Sequence, residues 1–205
     1  MEKQPRILVL GIGNLLWADE AFGVRTVEAL DRRYVFPDNV TVMDGGTQGL
    51  YLVNYVQEAD RLLVFDAVDY GLEPGTIKSV WNEEVPKFTG VKKMSLHQTG
   101  FQEVLSAASL LENGYPAEIQ LIGVQAGELE DWGGPMTQHV RSKMNTVIDM
   151  AVETLAGWGA RAMPRSLDDN HQLLVHGLED SRYEAERPTD DMVYRRGDAR
   201  FVFQP

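Results

Sequence analysis

The stretch Ile7-Leu8-Val9-Leu10-Gly11-Ile12-Gly13-Asn14 decides the fold. Unbroken apolar residues without polar alternation suit a strand buried on both faces, and the glycines that follow stop it abruptly. Beyond the loop, Val24, Val27, Leu30 and Tyr34 recur at spacings of three and four, while Asp19 and Glu20 stand where a helix N-terminus favours negative charge. This spacing predicts a helix that ends before Pro37. A buried strand leading into an amphipathic helix opens a βα unit, and a sheet made of such units is covered on both faces.

The alternation continues along the chain. Residues 40–43 predict a second strand that ends in Asp44-Gly45-Gly46-Thr47, where paired glycines call for a loop of unusual backbone freedom. Residues 50–55 suggest a short helix, and residues 61–66 a third strand that finishes on Asp66. Residues 75–81 read as a fourth strand after the turn Glu73-Pro74-Gly75. Ser95 can cap a helix that carries Phe101, Val104, Leu105 and Ala108 on one face, which puts His97 in its first turn. Residues 118–124 supply a fifth strand. Val140, Met144, Val147, Ile148, Ala151, Leu155 and Trp158 trace one helical stripe, closed by Gly157, Gly159 and Pro164. The expected fold is an α/β three-layer sandwich, with a mostly parallel twisted sheet of about five strands flanked by helices on both faces. Residues 1–165 form that domain. Residues 166–205 are a polar tail, either partly disordered or docked as a lid, with Arg200, Phe201, Val202 and Phe203 able to lie as an edge strand.

Composition narrows the function. With 43% hydrophobic and 24% charged residues, the 205-residue chain can bury a core, which excludes a mainly disordered regulator. A formal charge of −12 disfavours phosphate backbones and anionic lipid, so nucleic acid is not an expected partner. The apolar run at residues 7–10 is too short for a signal-peptide core or a membrane span; a cytoplasmic protein without membrane insertion is expected. Absence of cysteine removes disulfides, thiolate nucleophiles and zinc fingers, so a metal would be held by His, Asp, Glu or backbone.

In an open α/β sheet, ligands gather at the carboxyl ends of the strands. Glu20 beyond strand one, Asp66 at the end of strand three and His97 after strand four all map to that edge. Together they form a mixed oxygen and nitrogen set suited to a borderline divalent ion such as nickel or zinc. Simpler roles stand beside this one: a helix-dipole acid for Glu20 and a loop-capping carboxylate for Asp66. At a helix start the dipole favours a neutral, ligand-competent imidazole at position 97. His139, His171 and His176 lack such a setting and read as surface residues. Trp17 is either a groove wall or ordinary packing. The loop Gly11-Ile12-Gly13-Asn14-Leu15-Leu16 lacks the third glycine of a dinucleotide fingerprint and leads into Asp19 and Glu20, the wrong charge for a pyrophosphate.

The segments Gly11-Ile12-Gly13-Asn14-Leu15-Leu16-Trp17-Ala18-Asp19-Glu20, Asp44-Gly45-Gly46-Thr47-Gln48-Gly49-Leu50, Asp66-Ala67 and Ser95-Leu96-His97-Gln98, taken in order, resemble the hydrogenase maturation endopeptidases. The wording Leu-Leu-Trp-Ala-Asp-Glu and Asp-Tyr-Gly-Leu-Glu-Pro-Gly is similar to the branch serving membrane-bound uptake [NiFe]-hydrogenases. The resemblance implies a single cut that removes a C-terminal extension from the hydrogenase large-subunit precursor once nickel has been inserted. It places metal contacts on Glu20, Asp66 and His97 and substrate recognition on Asp44, Gly45, Gly46 and Thr47. The nickel arrives with the substrate, and zinc or cadmium can stand in for it in crystals. Two mechanisms stay open: a metal that gates, polarises the scissile carbonyl or activates water, and an acid/base pair of Asp44 or Asp66 with a protonated partner, as in an aspartic peptidase. A non-catalytic chaperone for the nickel-loaded subunit is the rival from another class, and an oxidoreductase on the glycine loop is a third.

Overall fold

The computed structural model describes residues 4–85, 96–111, 114–129, 131–166, 168–169 and 171–186, with backbone alone for 96–100. Strands β1 (Ile7–Ile12), β3 (Val40–Gly46), β4 (Arg61–Val68), β5 (Ile77–Trp81) and β6 (Glu118–Gln125) form a five-stranded sheet in the order β3-β1-β4-β6-β5. Every pairing is parallel except β5 with β6, because β5 returns by a turn rather than by a helical crossover. Strand β1 is buried along its whole length, as a central strand covered on both faces must be.

Helices α1 (Phe22–Arg33), α2 (Val53–Glu58), α3 (Leu96–Leu110), α4 (Gln138–Arg141) and α5 (Met144–Gly157) complete the three layers. Val9, Leu63 and Phe65 pack with Val27 and Leu30 of α1 and Val147, Ile148 and Ala151 of α5. Leu8, Leu10, Leu62 and Val64 face the other way, onto Val53 and Val56 of α2 and Phe101, Val104 and Leu105 of α3. The alternation along β1 and β4 divides the two cores. Ser95, the expected cap of α3, lies outside the described residues.

The start of α1 sits directly on the sheet. A Cβ at Gly23 would lie 2.1 Å from the Ile12 carbonyl oxygen and 2.3 Å from that of Phe65, and one at Gly11 would lie 2.4 Å from the Gly23 oxygen. These glycines serve helix–strand contact, not phosphate. The predicted C-terminal helix is broken at Ser142 and Lys143, and Val140 is buried on the short first piece. Three elements have no counterpart in the sequence reading. Strand β2 (Tyr34–Val35) pairs antiparallel with β7 (Met163–Pro164), and helix α6 (Asp180–Glu186) belongs to the tail. Among the described residues no helix is long and apolar enough to cross a membrane. Residues 200–203 lie outside the described residues.

Candidate active site

After β1 the chain enters a single 3-10 turn, Ala18–Ala21, that carries Asp19 and Glu20 below the surface between buried Ala18, Ala21 and Phe22. Gly13 makes this possible. Its φ is +141°, and a Cβ there would fall 1.9 Å from the Glu20 carbonyl oxygen, so the Glu20 main chain fills the space a side chain would need. Glu20 is 8% exposed, so it is not a solvated helix-dipole acid.

Asp19 has a role that the sequence reading does not assign. Its Oδ2 accepts from the backbone N–H of Gly127 at 2.8 Å and of Glu128 at 2.9 Å and from the Thr137 hydroxyl at 3.0 Å, and its Oδ1 accepts from the Thr137 N–H at 2.6 Å. These four bonds engage both oxygens of the carboxylate and tie the 127–137 loop to the turn bearing Glu20. A backbone bridge between Trp17 and Trp132, with the Gly133 N–H donating to the Leu16 oxygen at 2.7 Å, adds a second tie. Half-buried Trp17 is therefore part of this loop-to-loop packing. Partners more than a hundred residues away in sequence leave no local signal.

Asp66 pairs with Gly123 across β4 and β6 and is 2% exposed. It continues the row of Leu62 and Val64, the row that packs beneath α3, whose first turn contains His97. The backbone thus places Asp66 and His97 in one layer of the sandwich at the carboxyl end of the sheet, and the turn carrying Glu20 packs against β4. The His97 side chain lies outside the described residues, and among the described side chains no three His, Asp or Glu groups converge as a metal site.

Tyr70, on the loop after β4, is a further neighbour of Asp66. Burial pushes its phenol above the usual range and the charge of Asp66 adds to the shift, so Tyr70 stays a neutral hydroxyl. Gln125 fixes that loop: its Oε1 accepts from the N–H of Tyr70 at 2.8 Å and of Leu72 at 3.2 Å, and its Nε2 donates to Asp69 Oδ1 at 3.1 Å.

Asp44 belongs to the opposite face. It follows Val40 and Val42, which pack into the core beneath α1, and the charges acting on it are Arg25 and Glu28 of that helix. Strand β1 stands between β3 and β4, which puts the Asp44 and Asp66 backbones about 10 Å apart. The two carboxyls leave the sheet on opposite sides, so Asp44 and Asp66 do not couple with each other as an acid/base pair. Burial pushes the Asp44 carboxyl up, offset in part by the Gly46 N–H and Arg25, and its Oδ1 is buried without a hydrogen bond among the described residues. Pairing with β1 shifts register here: Gly11 faces Asp44 and Ile12 faces Gly46, so Gly45 is a bulge pressed 2.8 Å from Leu10 Cδ1 as a Cβ would stand. The bulge turns Thr47 and Gln48 outward, where both are exposed.

The described part of the tail is docked on α1. Arg25, 2% exposed, donates to Glu28 Oε2 at 2.8 Å and to the Leu178 oxygen at 2.6 Å and lies 3.5 Å from Asp180 Oδ1. Arg141 clasps the same Asp180 at 2.9 and 3.1 Å and reaches Glu184 at 3.1 Å. His171 and His176 are exposed as expected, yet each lies 3.1 Å from a carboxylate oxygen, of Asp31 and Glu179 respectively. His139 is exposed.

A family model for hydrogenase maturation protease matches residues 24–154, a span that holds Asp44, Asp66 and His97 and begins just after Glu20. The chain is 57% identical over 201 residues to the hydrogenase expression/formation protein HupM of Azotobacter chroococcum mcd 1, covering 98% of this chain and 95% of the relative. It is 61% identical over 181 residues to the corresponding protein HupD of Bradyrhizobium diazoefficiens, covering 87% and 94%. Among solved structures, the hydrogenase maturating endopeptidase HybD from Escherichia coli superposes with a TM-score of 0.71 at 38% identity, covering 78% of this chain and 98% of that one. On these matches the chain belongs to the hydrogenase maturation protease family.

Proposed function

We propose that this protein is the endopeptidase that removes the C-terminal extension of a [NiFe]-hydrogenase large-subunit precursor after nickel insertion, with the bound nickel as the feature it recognises. Glu20, Asp66 and His97 contact the metal carried by the substrate, and Asp44, Gly45, Gly46 and Thr47 receive the peptide. One observation carries this reading. Two carboxylates, Glu20 and Asp66, are buried at the carboxyl edge of the sheet, within loops 13–20 and 66–76 that contain no Lys or Arg, and such an edge favours a cation brought in by a partner. The four hydrogen bonds that commit Asp19 to the 127–137 loop support Glu20 as the metal contact of the adjacent pair. Asp66, whose charge acts on the neutral Tyr70 hydroxyl, would take the proton of an attacking water, and the substrate's metal would supply polarisation of the scissile carbonyl. Asp44, with its carboxyl pushed up by burial, would share a proton with the bound peptide backbone from the other face.

Incubation with nickel-loaded and metal-free precursor, read by intact-mass spectrometry, tests this. A single cut confined to the nickel-loaded form supports the reading, and equal cutting of both forms removes nickel recognition from it. Stable complex formation with unchanged precursor mass would favour a chaperone. The variant His97→Ala should abolish discrimination between the two precursors.

A further inference from the structure

Strand β3 is an edge of the sheet, and among the described residues no strand pairs with its outer backbone. Ile7 donates to the Asn39 oxygen at 2.8 Å, which fixes the parity: Thr41, Met43 and Gly45 turn their backbone groups to β1, while Val42 and Asp44 turn theirs outward. The Asp44 oxygen accepts from the Gln48 side chain at 3.2 Å; Val42 makes no outward hydrogen bond among the described residues. Edge strands are ordinarily protected by lysine, proline or an inward charge. The opposite edge, β5, carries Lys78, whereas β3, Val-Thr-Val-Met-Asp-Gly-Gly, has neither lysine nor proline, and its core-facing charge at Asp44 and its bulge at Gly45 come only at its end, leaving residues 40–43 unguarded. Tyr55 (47% exposed) stands across from Thr41 of β3, and Tyr51 (84%), next to exposed Leu50, lies one helical turn before it in the chain. A trough of about 190 Å³ lies between Thr41 and Asn39 on one side and Tyr55 and Glu58 on the other.

We propose that this edge is a docking strand for the substrate: an extended segment of the precursor's C-terminal region adds to β3 as a further strand, bonding to Val42 and Asp44 and laying apolar side chains at alternate positions against Tyr51 and Tyr55. The inference rests on the peptidase reading above. Only an extended backbone matches the outward N–H and C=O groups, and the edge runs straight into Asp44-Gly45-Gly46-Thr47, where the bulge at Gly45 ends regular pairing. A strand seated on β3 would therefore deliver its next residues to the recognition loop. The bulge sets how far pairing can run before the peptide crosses toward Glu20 and Asp66.

The test uses the full chain, nickel-loaded precursor and a synthetic peptide spanning the precursor's C-terminal extension. Hydrogen exchange should slow at the amides of Val42 and Asp44 when the peptide is added, whether or not it is cut. Val42→Pro removes an outward N–H without touching the β1 ladder, and Thr41→Lys places an edge charge; each should raise KM about tenfold with kcat nearly unchanged. Peptides N-methylated on alternate amides should lose binding in one register and keep it in the other. Unchanged KM in both variants, or equal binding of both N-methylated registers, overturns the proposal. So does protection of Val42 in the free chain that vanishes on deletion of residues 200–205, since the edge would then belong to the chain's own C-terminus. Failure of the wild type to cut precursor, with exchange at Val42 still slowed, would instead overturn the peptidase reading and leave strand docking standing.

Discussion

Asp19 and Thr137 are joined twice, by the Thr137 N–H to one carboxylate oxygen and by its hydroxyl to the other. Because Gly127 and Glu128 donate to the same carboxylate, one side chain holds the 127–137 loop against the turn that carries Glu20. Asp19→Asn puts a donor where only acceptors fit. It should cost about 3 kcal/mol in urea unfolding, and Thr137→Val should cost about 1 kcal/mol because the backbone bond survives. Equal stability of Asp19→Asn and the wild type would refute the anchoring role.

Gly13→Ala places a methyl group on the Glu20 carbonyl oxygen, at a φ that alanine avoids. The turn must move, so processing of nickel-loaded precursor should fall by more than tenfold even at temperatures where circular dichroism shows the variant folded, with a stability loss of about 3 kcal/mol. Full activity would mean that the position of Glu20 is unimportant.

Asp44 gives a pH prediction. Burial holds its folded-state pKa above the usual value of 3.8, so the folded chain binds that proton more tightly than the unfolded one. Its contribution to stability is present below 3.8 and is lost as pH rises through the folded value. Asp44→Asn carries no such penalty. It should melt higher than the wild type at neutral pH, with the gain vanishing in acid, while cleavage falls. Thermal melts at both pH extremes check the sign.

Asp180 titrates the other way. Burial alone would raise its pKa, but the Arg141 hydrogen bonds and the charges of Arg141, Arg25 and Arg32 outweigh it and hold the carboxyl below 3.8. Docking of the tail is therefore strengthened above 3.8 and loses that support as pH falls through the lowered value. Asp180→Ala strips a partner from buried Arg25 and should weaken docking by about 3 kcal/mol, seen as faster proteolysis of residues 165–186. Unchanged proteolysis would show that the apolar contacts of the tail suffice.

The sheet was legible because its central strands are continuous apolar runs: β1 and β4 announce burial on both faces, and the stripes of α1 and α5 announce the layers above them. The reversed direction of β5 was not legible, since a strand's pattern records burial and not polarity. Strands as short as β2 and β7 have no period, and their pairing joins Tyr34 to Pro164. Of the candidate site, Glu20 and Asp66 stand out in the sequence because each carboxylate terminates or follows an apolar strand. What could not be found was which face each acid occupies. That depends on parity along the strand and separates Asp44 from Asp66 despite their similar strand-end positions. Asp19, Tyr70 and Gln125 act through backbone groups of other loops, which no spacing in the chain encodes.

The contact between Gly13 and the Glu20 carbonyl closes residues 13–20 into a loop of fixed circumference. Side chains within that ring can be exchanged, but adding or deleting even one residue would break the closure and rotate Glu20 away from β4. The interval is a ruler cut to a single length, and its tolerance is better probed by inserting a glycine than by any substitution.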